Sequence, residues 1–126
     1  MRAMNLSLVM VLSAIGLIGC GTAIKVADLN PSPRALSPRS VGEVKVYTIP
    51  PQRPFTEVKM IVARQEAMTN DDIDAVLNKM KLKAAELGCD GLIIRGASNE
   101  VVVGQYGGKT LQGYVGSCVV FDEASD

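Results

Sequence analysis

The chain has 126 residues, with 13 Lys and Arg against 13 Asp and Glu, and contains neither histidine nor tryptophan. That length accommodates one domain, and zero net charge offers no basic surplus for nucleic acid. Without histidine the commonest general base, metal ligand and partner of a Ser or Cys nucleophile is missing, so no enzymatic activity, cofactor or metal site is expected.

Met1 to Asn5 carries one cation, Arg2, and no acid. Leu6 to Ile18 is then apolar apart from Ser7, Ser13 and Gly16. This run is shorter than the roughly 20 residues of a helical membrane span. It fits the apolar region of a secretory signal peptide, about 7–15 residues long. The run ends in Leu17-Ile18-Gly19-Cys20, which resembles the lipobox of bacterial lipoproteins. The resemblance implies a signal peptide over 1–19 and a diacylglyceryl thioether on Cys20. The protein would then be attached to the cell envelope by two or three acyl chains, which hold firmly where one is marginal. Gly21 stands where an aspartate would be the usual inner-membrane retention signal. That points to the outer membrane, with the domain facing the periplasm.

Residues 20–42 are expected to form the lipidated cysteine and a tether, because Pro31, Pro33 and Pro38 interrupt small and polar residues with no period. Proline-rich chain extends at about 3 Å per residue, so this tether would hold a domain up to about 60 Å from the membrane. The alternative is that Ile24, Val26 and Leu29 dock on the domain as an edge strand.

The folded part is expected over 43–122, followed by a short tail at 123–126. Val44 to Ile49 has the β-branched and aromatic content of a strand, stopped by Pro50, Pro51 and Pro54. Glu57 to Arg64 is a second strand, with Val58, Met60 and Val62 on one face and Lys59, Ile61 and Ala63 on the other. A helix follows. Thr69 suits the N-cap with Asp72 at N3, and Met68 and Ile73 are placed for a hydrophobic staple. Asp71, Asp72 and Asp74 favour the positive end of the helix dipole. Ile73, Val76, Leu77, Met80, Ala84 and Leu87 form one apolar stripe, and Gly88 ends it. Lys79, Lys81 and Lys83 fit a solvated face. Leu92 to Arg95, Glu100 to Gly104 and Tyr114 to Phe121 are the remaining strands, with a loop over 105–113 and a hairpin joining the last two. The fold class expected is α+β: a two-layer sandwich with one helix packed on a mixed sheet of four to five strands, in the order β-β-α-β-β-β.

Gly108-Lys109-Thr110 matches the end of a P-loop, but Val103 occupies the first glycine position and a strand rather than a helix follows. Turn geometry explains these glycines better. Once Cys20 is acylated, two cysteines remain. Cys89 and Cys118 are bridged, as an oxidising compartment allows, or are two buried thiols filling the core, with metal binding or redox chemistry as the third alternative. The distance between them decides. Asp90, Glu100, Glu43 and Glu57 are available carboxylates with no pairing pattern, and are expected to be solvated. Tyr47, Arg53, Phe55 and Tyr106 are the candidate interaction surface, since loops that display aromatics and arginine concentrate binding energy.

The stretch Ala84-Ala85-Glu86-Leu87-Gly88-Cys89-Asp90-Gly91-Leu92-Ile93-Ile94, entered through Pro51 to Val58, resembles a pattern of small bacterial domains. These include the outer-membrane lipoprotein sensor of the Rcs envelope-stress system and the YbjQ-like domains. Small residues at the corner let the helix pack on the next strand with almost no loop. The resemblance implies a non-enzymatic module for protein interaction or envelope-stress sensing, whose partners are the membrane and another envelope protein. The alternative it implies is a small-ligand or metal-binding oligomeric module of the YbjQ-like type.

Overall fold

The computed structural model describes residues 21–66, 71–104 and 107–122. Strand β1 is Thr22–Asp28, and a 3-10 turn follows at Val41–Glu43. The remaining elements are β2 (Lys45–Tyr47), β3 (Phe55–Gln65), helix α1 (Ile73–Leu87), β4 (Gly91–Gly104) and β5 (Gly107–Phe121). The strands form one five-stranded sheet in the order β1-β3-β5-β4-β2. Only the β2–β4 pair is parallel, so the sheet is mixed, and α1 covers one face. This is the α+β two-layer sandwich that the hydrophobic periodicity predicts. Both β3 and β4 run antiparallel to β5, so α1 carries the chain between two parallel strands with β5 laid between them.

The core is the helix stripe against the sheet. Val76, Met80, Ala84 and Ala85 of α1 are buried against Val58, Ile61, Ala63, Leu92, Cys118 and Val120. Gly116 sits beneath the helix: a Cβ there would lie 2.7 Å from Met80 Cε. The absent side chain thus makes room for the largest helix side chain in the core.

Three strand assignments differ from the sequence pattern. Residues 22–28 are edge strand β1, the alternative open for Ile24 and Val26, rather than the start of a tether, and they pair along their whole length with residues 59–65 of β3. The pairing satisfies backbone groups that a free stalk would leave to water. The chain beyond it, residues 29–43, crosses the domain instead of hanging from it. Leu29 N–H donates to Val58 O and Arg39 N–H to Ala85 O. Next, a bulge between Glu57 and Lys59 breaks the alternation of β3. Val58 consequently joins Ile61 and Ala63 in the core, while Met60 is 36% exposed; a bulge places two residues opposite one and so shifts the phase. Finally, the strands expected at 92–95 and 100–104 are one strand, and β5 begins at Gly107 within the expected loop. Antiparallel partners supply each other's hydrogen bonds through glycine and polar residues that carry little strand propensity themselves.

At its start α1 is capped by Asp72, whose carboxylate accepts the Ala75 N–H at 2.8 Å, so Asp72 is the cap and not N3. Thr69 and Met68 lie outside the described residues. Gly88 ends the helix as expected, in the left-handed region at φ 83°, with its N–H bonded to the helix carbonyls. The crossing segment packs directly on it: a Cβ at Gly88 would stand 2.7 Å from Ser37 O. Gly88→Val should therefore destabilise the domain by about 2 kcal/mol or more, through strain and displaced backbone together. Gly96→Ala, where no atom lies within 4 Å of the added carbon, should fall within about 0.5 kcal/mol of wild type. Urea denaturation of the two variants measures both.

Candidate functional site

The corner after α1 is Gly88-Cys89-Asp90-Gly91. Cys89 and Cys118 are both fully buried and are bridged, with Cα atoms 5.5 Å apart. Of the arrangements open from sequence, the disulfide is the one present, and it ties the helix exit to β5 across a separation of 29 residues.

Asp90 is the residue that the sequence pattern misplaces. Instead of being solvated, it is 9% exposed. Its side chain accepts from Arg34 and Arg39 of the crossing segment and from the Phe121 N–H, the last at 2.8 Å. Its own N–H donates to Val119 O, and its carbonyl accepts the Lys45 N–H. One residue therefore joins the helix exit, β5, the entry to β2 and the segment 29–43. Burial by itself would raise the Asp90 carboxyl. The Arg34 hydrogen bond, the Phe121 N–H, the Arg34 charge and the Arg39 hydrogen bond outweigh it and hold the group below its ordinary range.

The other three carboxylates expected to be solvated also have partners. Glu43 accepts from the Ser40 hydroxyl and N–H and pairs with Arg39, which lowers its pKa through the Ser40 bonds first. Glu57 pairs with Arg95 across β5, and that hydrogen bond lowers it. Glu100 pairs with Arg64 at 3.0 Å.

Beside Asp90 opens a cleft of about 230 Å³ lined by Arg39, Glu43, Lys45, Tyr47, Arg53, Asp90 and Phe121. The Arg53 guanidinium carbon lies 4.0 Å from the Phe121 ring centroid, a cation–π arrangement that positions the arginine at the rim. Tyr47 leans on Gly91, where an added Cβ would be 2.7 Å from its ring. The structure thus brings two of the four predicted surface residues, Tyr47 and Arg53, into one concavity. Phe55 pairs in register with Phe121 on the neighbouring strand but does not line the cleft. Tyr106 and Cys20 lie outside the described residues. Sequence reasoning missed Arg34, Arg39 and Phe121. The only signal for them was two arginines in a segment with no period of its own.

The cleft offers cations, one phenol and an aromatic face, with both of its carboxylates already paired. Such a surface suits polar recognition. A second groove, about 440 Å³, is more apolar and lies between the crossing segment and the ends of β1 and β3, at Leu29, Pro31, Leu36 and Val58. Among the described residues no three His, Cys, Asp or Glu side chains stand together as a metal site.

No family model matches the chain, and no curated protein matches it. Among solved structures, the crystal structure of a Francisella virulence factor, FvfA, in the orthorhombic form is similar to it with a TM-score of 0.46 at 16% identity. The match covers 81% of this chain and 99% of that one. At that score and identity it transfers neither a role nor a partner.

Two outcomes follow from the corner. Cys118→Ala should lower the unfolding free energy by about 3–4 kcal/mol, the loop-entropy value for a closure of this length. Reduction of the wild type should bring it to the same level in a denaturant titration. For Asp90, whose folded pKa is depressed, the stabilisation is complete above the unfolded value of about 3.9 and is lost as pH falls through the lower folded value. Between pH 5 and pH 2, Asp90→Asn should therefore lose less stability than wild type. The residual slope belongs to Glu57, Glu43 and Asp71, which shift the same way.

Proposed function

We propose that the chain is a lipid-anchored envelope protein, non-enzymatic, that acts by contacting another envelope protein. The observation that carries this reading is the buried Cys89–Cys118 bridge. Structural disulfides persist in oxidising compartments and are rare in the cytosol, so the domain belongs outside the cytoplasm. The apolar leader Leu6 to Ile18 supplies a route there, and Gly19-Cys20 supplies the attachment point. Gly21 after the cysteine favours the outer membrane. The cleft of Tyr47, Arg53 and Phe121 supports contact with a protein partner. It lies at the end of the sheet opposite Gly21, where a domain attached through the preceding residue would present it to the periplasm.

The test is growth on a traceable fatty acid. Wild type should carry the label and migrate as the cleaved form. Cys20→Ser should carry none and remain uncleaved. Equal labelling of the two would refute attachment at this residue.

A further inference from the structure

The β4–β5 hairpin outruns the rest of the sheet. Pairing of β3 with β5 ends at Arg64↔Gly113, while β4 and β5 continue pairing from Asn99↔Gln112 to Gly104↔Gly107. These six further steps project roughly 20 Å at about 3.3 Å per residue. β1 begins at the same end, since Thr22 pairs with Gln65, one step beyond Arg64. Gly21 precedes it and is held rather than free: its carbonyl accepts the N–H groups of Glu66 and Asp71, each at 3.0 Å. The peptide bond then places the Cα of Cys20 within about 3.8 Å of that of Gly21. Gly21, one peptide bond from the proposed attachment point, is thus held against the sheet, and the hairpin extends past it by roughly four residues or 13 Å.

The projecting part is apolar where it is described. Val101 is 67% exposed and Val103 is 80% exposed. They alternate along β4, opposite Thr110 and Gly108, and so share one face. Across residues 101–104 and 107–110 the one charged side chain is Lys109, and there is no acid. Glu100, at the base, is folded back on Arg64.

We infer that this hairpin is a membrane-contact element: its Val101 and Val103 face enters the lipid interface beside the acylated Cys20. The inference rests on the attachment proposed above. Its reach past Gly21 is comparable to the 5–10 Å by which interfacial elements bury their apolar faces. Lys109 pairs with position 102 and so stands on the opposite face of the ribbon from Val101 and Val103, which leaves the lipid-facing side uncharged. The contact fixes the domain's orientation and directs the Tyr47–Arg53 cleft away from the bilayer.

The chain has no tryptophan, so single-tryptophan variants report position directly. Val103→Trp probes the hairpin, and Leu29→Trp, 41% exposed at the far end of β1, is the control. Each full-length, membrane-purified protein would be reconstituted into phosphatidylcholine vesicles with acyl-brominated lipid, and its acyl mass and melting temperature recorded. The expected result is blue-shifted emission quenched by bromolipid for Val103→Trp, and no quenching by bromolipid for Leu29→Trp. Unquenched Val103→Trp on a chain that carries its acyl mass would overturn the hairpin contact and leave the attachment standing. A blue shift without quenching would place the hairpin against protein and overturn it too. Absence of acyl mass would overturn the attachment and the inference resting on it.

Discussion

The fold is held at one end by a single carboxylate. Asp90 sits at the corner where α1 gives way to β4, and Arg34 and Arg39 reach it from a segment with little regular structure. An arginine–carboxylate contact in partly desolvated surroundings is directional and stronger than a neutral hydrogen bond. Removing one partner of such a set leaves the others with uncompensated charge. The segment 29–43 has few backbone bonds to the rest of the domain, so these two guanidinium contacts largely set its path. Its path in turn shapes the cleft, which is lined by Arg39 and Glu43 from one side and Tyr47, Arg53 and Phe121 from the other.

The disulfide acts at the same corner by a different means. It holds the helix exit on β5 from inside the core, while Asp90 holds the crossing segment from outside it. The first limits the unfolded chain and is indifferent to pH in the acid range. The second depends on ionisation. Because Asp90 also accepts the Phe121 N–H, the two devices share β5, and the ring under Arg53 is fixed by both. The cleft is therefore built beside both devices, and any contact it makes would be preorganised rather than induced.

The opposite end is arranged for a different task. There the sheet narrows to the β4–β5 ribbon, whose outer residues pair only with each other. A two-stranded ribbon with no further neighbour is marginal alone. Burial of Leu111 and the Arg64–Glu100 pair tie its base to β3. One end of the domain is thus rigid and polar, and the other projects an apolar face.

Much of the architecture is legible from local chemistry. The 3.6-residue stripe of Val76, Met80 and Ala84, the left-handed stop at Gly88 and the β-branched runs are each decided by neighbours a few residues away. Local sterics and dipoles act at that range. What the local pattern could not decide is what depends on residues far apart in the chain. The pattern of Ile24 and Val26 allows an edge strand as well as a tether, and only pairing with seven residues of β3 decides between them. Nothing near Val58 announces the bulge that turns it inward. The Cys89–Cys118 bridge and the Arg34–Asp90–Arg39 contacts join positions 29 to 56 residues apart. Their geometry exists only after the sheet has brought its strands together, because short-range forces such as hydrogen bonds and ion pairs are realised by distance in space and not along the chain.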